Sequence, residues 1–142
     1  MSSPLPPLDA MVGHQLQRAA ARAMQHLAVA LEPFGVAPGE WIVLRTLYDA
    51  GPSPPSVLAD RCHLTRGAVT KLVDRLRAKQ LVVRAAAGRD DRRYQTIALT
   101  GAGARLLTDL AAAAAASDAA LFGHLSERDR ARLRALAGRG EI

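Results

Sequence analysis

The sequence has a single cysteine, Cys62, which excludes a disulfide bond within the chain and is compatible with a reducing compartment. Only five of the 142 residues are aromatic, so alanine, leucine and valine must supply the core. No apolar run reaches the roughly 18 residues that a membrane-spanning helix needs, and the first residues lack the pattern of a signal peptide. We therefore expect a cytoplasmic protein.

Patterns typical of metal sites and catalytic sites are also missing. The four histidines do not have the spacing of a zinc site, either among themselves or with Cys62. No nucleophile lies beside a base, and no glycine-rich loop is of the phosphate-binding type. Asp90 and Asp91 are adjacent carboxylates, but in an arginine-rich loop we expect them to form ion pairs. We predict no metal, no cofactor and no enzymatic activity.

Positive charge is concentrated between residues 65 and 93. This segment has nine basic and three acidic residues, whereas the rest of the chain has ten of each. The nine basic residues are Arg66, Lys71, Arg75, Arg77, Lys79, Arg84, Arg89, Arg92 and Arg93. A local excess of this size is typical of a surface that binds a polyanion.

Apolar spacing predicts three helices before this segment. Residues 9–31 place apolar side chains three and four positions apart, and Asp9 is a suitable N-cap. A second helix is predicted from about Pro38 to Asp49, and a short third helix from Pro55 to Cys62. The inward positions of these two helices are Trp41, Leu44, Leu47, Tyr48, Val57, Leu58 and Cys62.

The charged segment itself has the pattern of a helix-turn-helix followed by a hairpin. Thr65 is a good N-cap for a fourth helix that runs through Lys79, with an apolar stripe on one side and basic residues on the other. After Gln80 the period changes to two, so residues 81–83 and 96–99 are predicted to be strands. An arginine-rich loop connects them.

Two further helices are predicted after the hairpin. Residues 101–121 are rich in alanine and leucine, which favour helix, and Ser126 is a candidate N-cap for the last helix. Leu106, Leu107 and Leu110 would form an apolar face that one small domain cannot cover. We therefore expect a second copy of the chain to cover it.

Short motifs follow one another in a fixed order through the charged region. They are Leu58-Ala59-Asp60-Arg61, Leu64-Thr65, Val69-Thr70-Lys71-Leu72-Val73-Asp74-Arg75-Leu76, Asp91-x-Arg93 and Leu99-Thr100. In this combination the sequence resembles the MarR family of winged helix-turn-helix transcription regulators. The resemblance implies a mainly α fold with a small β-hairpin. It implies a single domain over residues 1–142, with dimerisation helices at 1–32 and 101–142 and the winged helix-turn-helix region at 37–100.

The resemblance implies a sequence-specific DNA-binding regulator, a ligand-responsive homodimeric repressor of a pseudo-palindromic operator in double-stranded DNA. Recognition helix 65–79 would lie in the major groove and wing 84–95 at the minor groove. The implied DNA-binding residues are Thr65, Arg66, Gly67, Thr70, Lys71, Arg75, Arg89, Asp91, Arg92 and Arg93. Arg66 is a candidate for reading guanine. The alternative is a winged-helix module that docks an acidic protein partner.

A pocket for a small aromatic or phenolic effector is also implied by the resemblance. Its candidate residues are His14, Arg18, Trp41, Arg45 and Tyr48, of which Arg18 or Arg45 would pair with a carboxylate. Alternatively, the two aromatic residues belong to the core and the arginines form salt bridges. Cys62 is expected to be a buried packing residue rather than a redox sensor.

Two positions depart from the family pattern. His63 stands where relatives often have glycine, at the end of the supporting helix, and must there adopt left-handed backbone. Ala37 stands where serine or threonine often caps the second helix. We therefore expect a weak start for that helix.

Overall fold

The computed structural model describes residues 4–86 and 95–138. Its helices and strands in chain order are a 3-10 turn Leu8–Ala10, α1 Val12–Leu31, a 3-10 turn Glu32–Phe34, α2 Pro38–Ala50, α3 Pro55–Cys62, α4 Arg66–Ala78, β1 Val82–Ala86, β2 Gln95–Leu99, α5 Gly101–Phe122 and α6 Glu127–Gly138. The predicted fold class, mainly α with a small β-hairpin, is confirmed.

The chain forms two compact units, Leu31–Ala113 and the pair of segments Met1–Ala30 and Ala114–Ile142. The first unit contains α2, α3, α4, the hairpin and the first part of α5. The second contains most of α1, the end of α5 and all of α6. The predicted dimerisation role of residues 1–32 and 101–142 stays a prediction.

The unit Leu31–Ala113 has an aliphatic core. Its most deeply buried side chains are Leu31, Val43, Leu44, Leu47, Leu58, Val69, Val73, Leu76, Ile97 and Leu110. In α4, Val69, Val73 and Leu76 lie four and three positions apart, which places them on one face. Leu107 is also buried, so the expectation that Leu107 and Leu110 are covered only by a second copy is wrong.

Two predicted inward positions are exposed. Tyr48 is 59% exposed, because the buried stripe of α2 runs through Val43, Leu44 and Leu47, and Tyr48 lies about a quarter of a turn from its centre. Val57 is 39% exposed because the buried face of α3 lies on the side of Leu58, Ala59 and Cys62. Which face of α2 or α3 is buried therefore depends on the elements that pack against it, and these cannot be read from the helix sequence alone.

The hairpin is antiparallel, with register from Val82↔Leu99 to Ala86↔Gln95. Ile97 of β2 also forms a two-hydrogen-bond bridge with Ser53, whose backbone N–H donates to Ile97 O at 3.0 Å and whose carbonyl accepts from Ile97 N at 2.8 Å. The sequence pattern did not predict this bridge, because a single residue between prolines has no strand period. The bridge places β2 between β1 and the segment that leads into α3.

The other unit exposes its apolar residues. Among its described residues, no large apolar side chain is buried, and the exposed ones are Leu5, Leu8, Met11, Val12, Leu16, Met24, Val29, Leu133 and Leu136. In the part of the chain that the structure describes, no single helix is both long and apolar enough to cross a membrane. Two bent pairs of helices meet that test only when each pair is taken together.

Of the two caps predicted for α1 and α6, the structure shows the one at α6. Asp9 does not cap α1, contrary to the prediction, because it lies in the preceding 3-10 turn and Met11 separates it from the helix. Ser126 caps α6 as predicted, since its Oγ accepts from Asp129 N at 3.1 Å. Glu127, the first residue of α6, accepts hydrogen bonds from Arg130 and Arg134, and these two arginines hold the pKa of its carboxyl below the usual value.

Candidate nucleic-acid interface

The turn between α3 and α4 depends on two residues. His63 takes left-handed backbone at φ 54° and ψ 41°, as expected, and ends α3. The amides of His63 and Leu64 then donate to the carbonyls of Asp60 and Ala59 at 3.2 and 3.0 Å, which satisfies the last carbonyls of the helix. Thr65 starts α4, because its Oγ1 accepts from Ala68 N at 3.1 Å.

The outer face of α4 is exposed and basic. Arg66, Lys71, Arg75 and Arg77 are all exposed, and none forms an ion pair with another described residue. The opposite face is buried in the core. Their charges are therefore available to a ligand, and this set of exposed cations is called the α4 basic face below.

The smaller residues of this face differ in what they can bind. A Cβ placed on Gly67 would meet nothing within 4 Å, so another molecule has room to approach the backbone there. The hydroxyl of Thr70 donates to Arg66 O at 2.9 Å, so it has only acceptor capacity left for a ligand. Thr65 Oγ1 acts as an acceptor within the chain, which leaves its proton free to bond an anion.

Part of the wing lies outside the described residues. Arg89, Asp91, Arg92 and Arg93 belong to that part, so their predicted contacts stay predictions. At the described base of the wing, Arg84 is 29% exposed and its Nη2 lies 3.7 Å from Oδ1 of Asp74 in α4. Its Nε is buried without a hydrogen-bond partner among the described residues. Arg84 therefore connects β1 to α4.

Lys79 is also engaged inside the protein. Its Nζ lies 2.7 and 2.9 Å from the two carboxylate oxygens of Glu40 and donates to Gly35 O at 2.7 Å. Glu40 is only 3% exposed and accepts from Ala37 N at 3.1 Å. The sequence suggested a weak start for α2 because alanine has no side-chain acceptor, and no side chain at Ala37 caps the first-turn amides. Glu40 supplies only the reciprocal half of a capping box, in which its carboxylate accepts from Ala37 N. The sequence signal for the bond to Ala37 N is a glutamate at the third position of the helix. The ion pair with Lys79, 39 residues away, has no local sequence signal.

The five candidate effector residues fall in different units. His14 and Arg18 belong to the unit with α1 and α6, where Arg18 pairs with Asp9 at 3.2 Å. Trp41, Arg45 and Tyr48 belong to the unit Leu31–Ala113. The predicted pocket stays a prediction.

Arg45 has partners within α2. It pairs with Asp49 at 3.2 Å and lies over the Tyr48 ring, 5.2 Å from its centroid. Its guanidinium would have to leave the Asp49 carboxylate, or share it, to bind a ligand carboxylate.

Cys62 is buried, as expected, with 8% of its surface exposed. Its Sγ donates to Thr46 Oγ1 at 3.5 Å, and it packs on the inner side of α3. Within residues 4–86 and 95–138, no group of three or more histidine, cysteine, aspartate or glutamate side chains is placed to hold a metal ion.

The segment that contains α3, α4 and the hairpin is also the segment that matches a known protein family. A model of the MarR family matches residues 34–93. The HTH-type transcriptional regulator MhqR of Bacillus subtilis is 32% identical over 114 residues, which cover 80% of this chain and 78% of MhqR.

Solved structures are similar over nearly the whole chain. CouR from Rhodococcus jostii RHA1, bound to p-coumaroyl-CoA, has a TM-score of 0.78 at 25% identity, with 97% of this chain and 99% of CouR covered. A mutant of MarR from E. coli, complexed with operator DNA, has a TM-score of 0.83 at 22% identity, with 92% and 94% covered. At this identity, the similarity to the E. coli protein shows a shared fold.

Proposed function

The chain belongs to the MarR family of transcription regulators, and from this premise we propose that it binds operator DNA as a homodimer and represses transcription. Helix α4 lies in the major groove and the wing, residues 84–95, lies at the adjacent minor groove. The observation that carries the proposal is the α4 basic face, whose four cations have no ion-pair partner among the described residues.

The N-terminal end of α4 supplies sequence recognition in this proposal. Arg66 is the first residue of the helix and is exposed, so its guanidinium can donate two hydrogen bonds to O6 and N7 of a guanine. Gly67 beside it leaves room for the DNA backbone. Lys71 and Arg75 contribute phosphate contacts, which add affinity without adding sequence information. In the wing, Asp91 orients the loop and Arg93 enters the minor groove.

In this proposal a second copy of the chain covers the exposed apolar side chains of the unit that contains α1 and α6. The nine exposed apolar side chains of α1, α6 and the residues before α1 would leave a large apolar surface in water. A two-fold symmetric dimer buries the same surface on both copies. The two recognition helices then meet successive major grooves, so the operator is a pseudo-palindrome with half-sites about 10 base pairs apart.

A small aromatic effector would regulate this activity. CouR is bound to p-coumaroyl-CoA, the coenzyme A thioester of a phenolic acid, and this supports a ligand with a phenolic acyl group. The candidate effector residues are His14 and Arg18 in one unit and Trp41, Arg45 and Tyr48 in the other. Such a ligand relieves repression only if it binds more tightly to the state that does not fit the operator. The alternative, docking of an acidic protein, gains no support from relatives that are transcription regulators.

The test compares two arginines of one helix. An operator is first selected from random duplex DNA, and the affinities for it and for a scrambled duplex are measured for Arg66→Ala and Arg77→Ala. Both variants remove one positive charge from α4, but Arg77 lies about three turns further along. We expect Arg66→Ala to reduce the operator preference about 10- to 100-fold and Arg77→Ala to leave it unchanged. An unchanged preference in Arg66→Ala would refute this placement of α4.

A further inference from the structure

A partly buried ion pair joins Lys79, the C-cap of α4, to the first turn of α2. The Lys79 ammonium contacts both carboxylate oxygens of Glu40, and it also donates to the carbonyl of Gly35, which precedes α2. Glu40 Oε1 in turn accepts from Ala37 N. The Glu40–Lys79 pair therefore connects three parts of the unit Leu31–Ala113.

Most of the hydrogen-bonding capacity of Lys79 is used within the protein. Three oxygens lie within 2.9 Å of Nζ, namely Gly35 O and the two oxygens of the Glu40 carboxylate, which are close enough together to share one hydrogen. Lys79 is itself exposed, but its ammonium is held by these oxygens, whereas the exposed Lys71 has no ion-pair partner among the described residues. Its charge serves a contact within the protein.

The pair is placed where it can control the direction of α4. It holds the C-terminal end of the helix, whereas Thr65 and Arg66 lie at the opposite end. Helix α4 has 13 residues. At about 1.5 Å per residue it is roughly 20 Å long, so a tilt of about 5° displaces its far end by nearly 2 Å. Hydrogen bonds to base edges do not tolerate such a displacement.

Aliphatic packing and polar contacts both act on α4. Val69, Val73 and Leu76 are aliphatic side chains whose contacts have no fixed direction. The first turn of α2 approaches the middle of α4, because a Cβ on Gly39 would lie 3.1 Å from Leu72 Cδ2. The Glu40–Lys79 pair adds a directional contact at the end of the helix.

We propose that Glu40 and Lys79 are positioning residues that set the orientation of the recognition helix for its operator. The inference rests on the proposed function. For Glu40→Gln, the positioning role and simple electrostatics predict changes of operator affinity in opposite directions. Glu40→Gln removes a negative charge from a DNA-binding unit, which by charge alone raises the affinity for DNA. Loss of the orientation lowers the affinity for the operator.

The experiment measures operator and scrambled-duplex affinities over a range of salt concentrations for the wild type, Glu40→Gln and Lys79→Met. We expect both variants to bind the operator on the order of tenfold more weakly. The affinity of Glu40→Gln for the scrambled duplex should not fall, and Lys79→Met should lose more affinity for the operator than for the scrambled duplex. The slope of log affinity against log salt should stay that of the wild type in both variants. Lys79→Arg keeps the charge and should recover part of the loss.

Lys71→Met is the matched control for loss of a lysine charge on the same helix. A phosphate-contacting lysine should weaken binding to both duplexes and reduce the salt slope by about 1. If Lys79→Met alone does not fold, the double variant Glu40→Gln/Lys79→Met leaves no unpaired buried charge and takes its place. It should show the same loss of operator preference.

The outcomes separate the two proposals. A wild-type chain that prefers no duplex overturns the proposed function, and this inference with it. A wild type that prefers its operator, together with a folded Glu40→Gln variant that binds it equally well or more tightly, overturns only the positioning role. A Lys79→Met variant with a reduced salt slope also overturns it, because Lys79 would then contact phosphate directly.

Discussion

His63 decides where α3 ends and how the chain turns into α4. It adopts left-handed backbone, which is strained for residues that have a Cβ and unstrained for glycine, which has none. Its amide nevertheless satisfies a carbonyl of α3, so the conformation is required by the turn and not by the histidine ring. The position is suited to glycine.

Substitutions of His63 should therefore change stability in opposite directions. His63→Gly should raise the free energy of unfolding by about 0.5–1 kcal/mol, because glycine adopts this backbone without strain. His63→Val should lower it by about 1–2 kcal/mol, because a β-branched side chain is poorly tolerated there. Urea unfolding followed by circular dichroism measures both values. Equal stabilities would show that the turn carries no strain.

At the scale of elements, the start of α5 is packed tightly against the residues between α4 and β1. Thr100 N donates to Leu81 O at 3.0 Å, and the Thr100 hydroxyl donates to Gln80 O at 2.7 Å while accepting from Gly103 N at 3.0 Å. A Cβ on Gly103 would collide with Leu81 O. The Leu99-Thr100 motif thus ends the wing and starts the next helix at one contact.

This close approach makes Gly103 irreplaceable for a reason that helix propensity alone does not predict. Gly103→Ala should lower the free energy of unfolding by about 1–3 kcal/mol, although alanine normally stabilises a helix. Gly101→Ala in the same helix is the control, because its Cβ would meet only the mobile end of Arg105 and should cost little. Comparable stability of the two variants, measured by urea unfolding, would contradict the packing described.

Local patterns predicted most of these elements, and long-range contacts account for what they missed. Thr65 and the spacing of Val69, Val73 and Leu76 locate α4 to within a residue, because cap and period are both local. The Ser53 bridge and the Glu40–Lys79 pair join residues about 40 positions apart, and no local period encodes them. The order of motifs led to the family, which the comparisons then confirmed.

At the scale of the whole molecule, the exposed apolar residues of α1 and α6 require a second copy in our account. Leu133 of α6 is 46% exposed and lines a cavity together with Phe122, Leu125 and Ala137. Leu133→Glu should shift the chain from dimer to monomer, with the dissociation constant raised at least about 100-fold, since a dimer loses the contact twice. Sedimentation equilibrium measures this shift.

Val57→Glu provides the matched control for a charge placed on an exposed apolar residue, because Val57 lies in α3 of the other unit. It should leave the dimer intact. A Leu133→Glu variant that dimerises as tightly as the wild type would place the contact between copies elsewhere. A wild type that is monomeric at micromolar concentration would refute the dimer.

The central claim is that two copies of the chain recognise a duplex sequence through α4 and the wing. The most direct test is the ratio of the affinities of the wild-type chain for its selected operator and for a scrambled duplex of equal length, at one physiological salt concentration. We predict a preference of at least about 1,000-fold, with one dimer bound per operator. Equal affinity for the two duplexes would contradict the account.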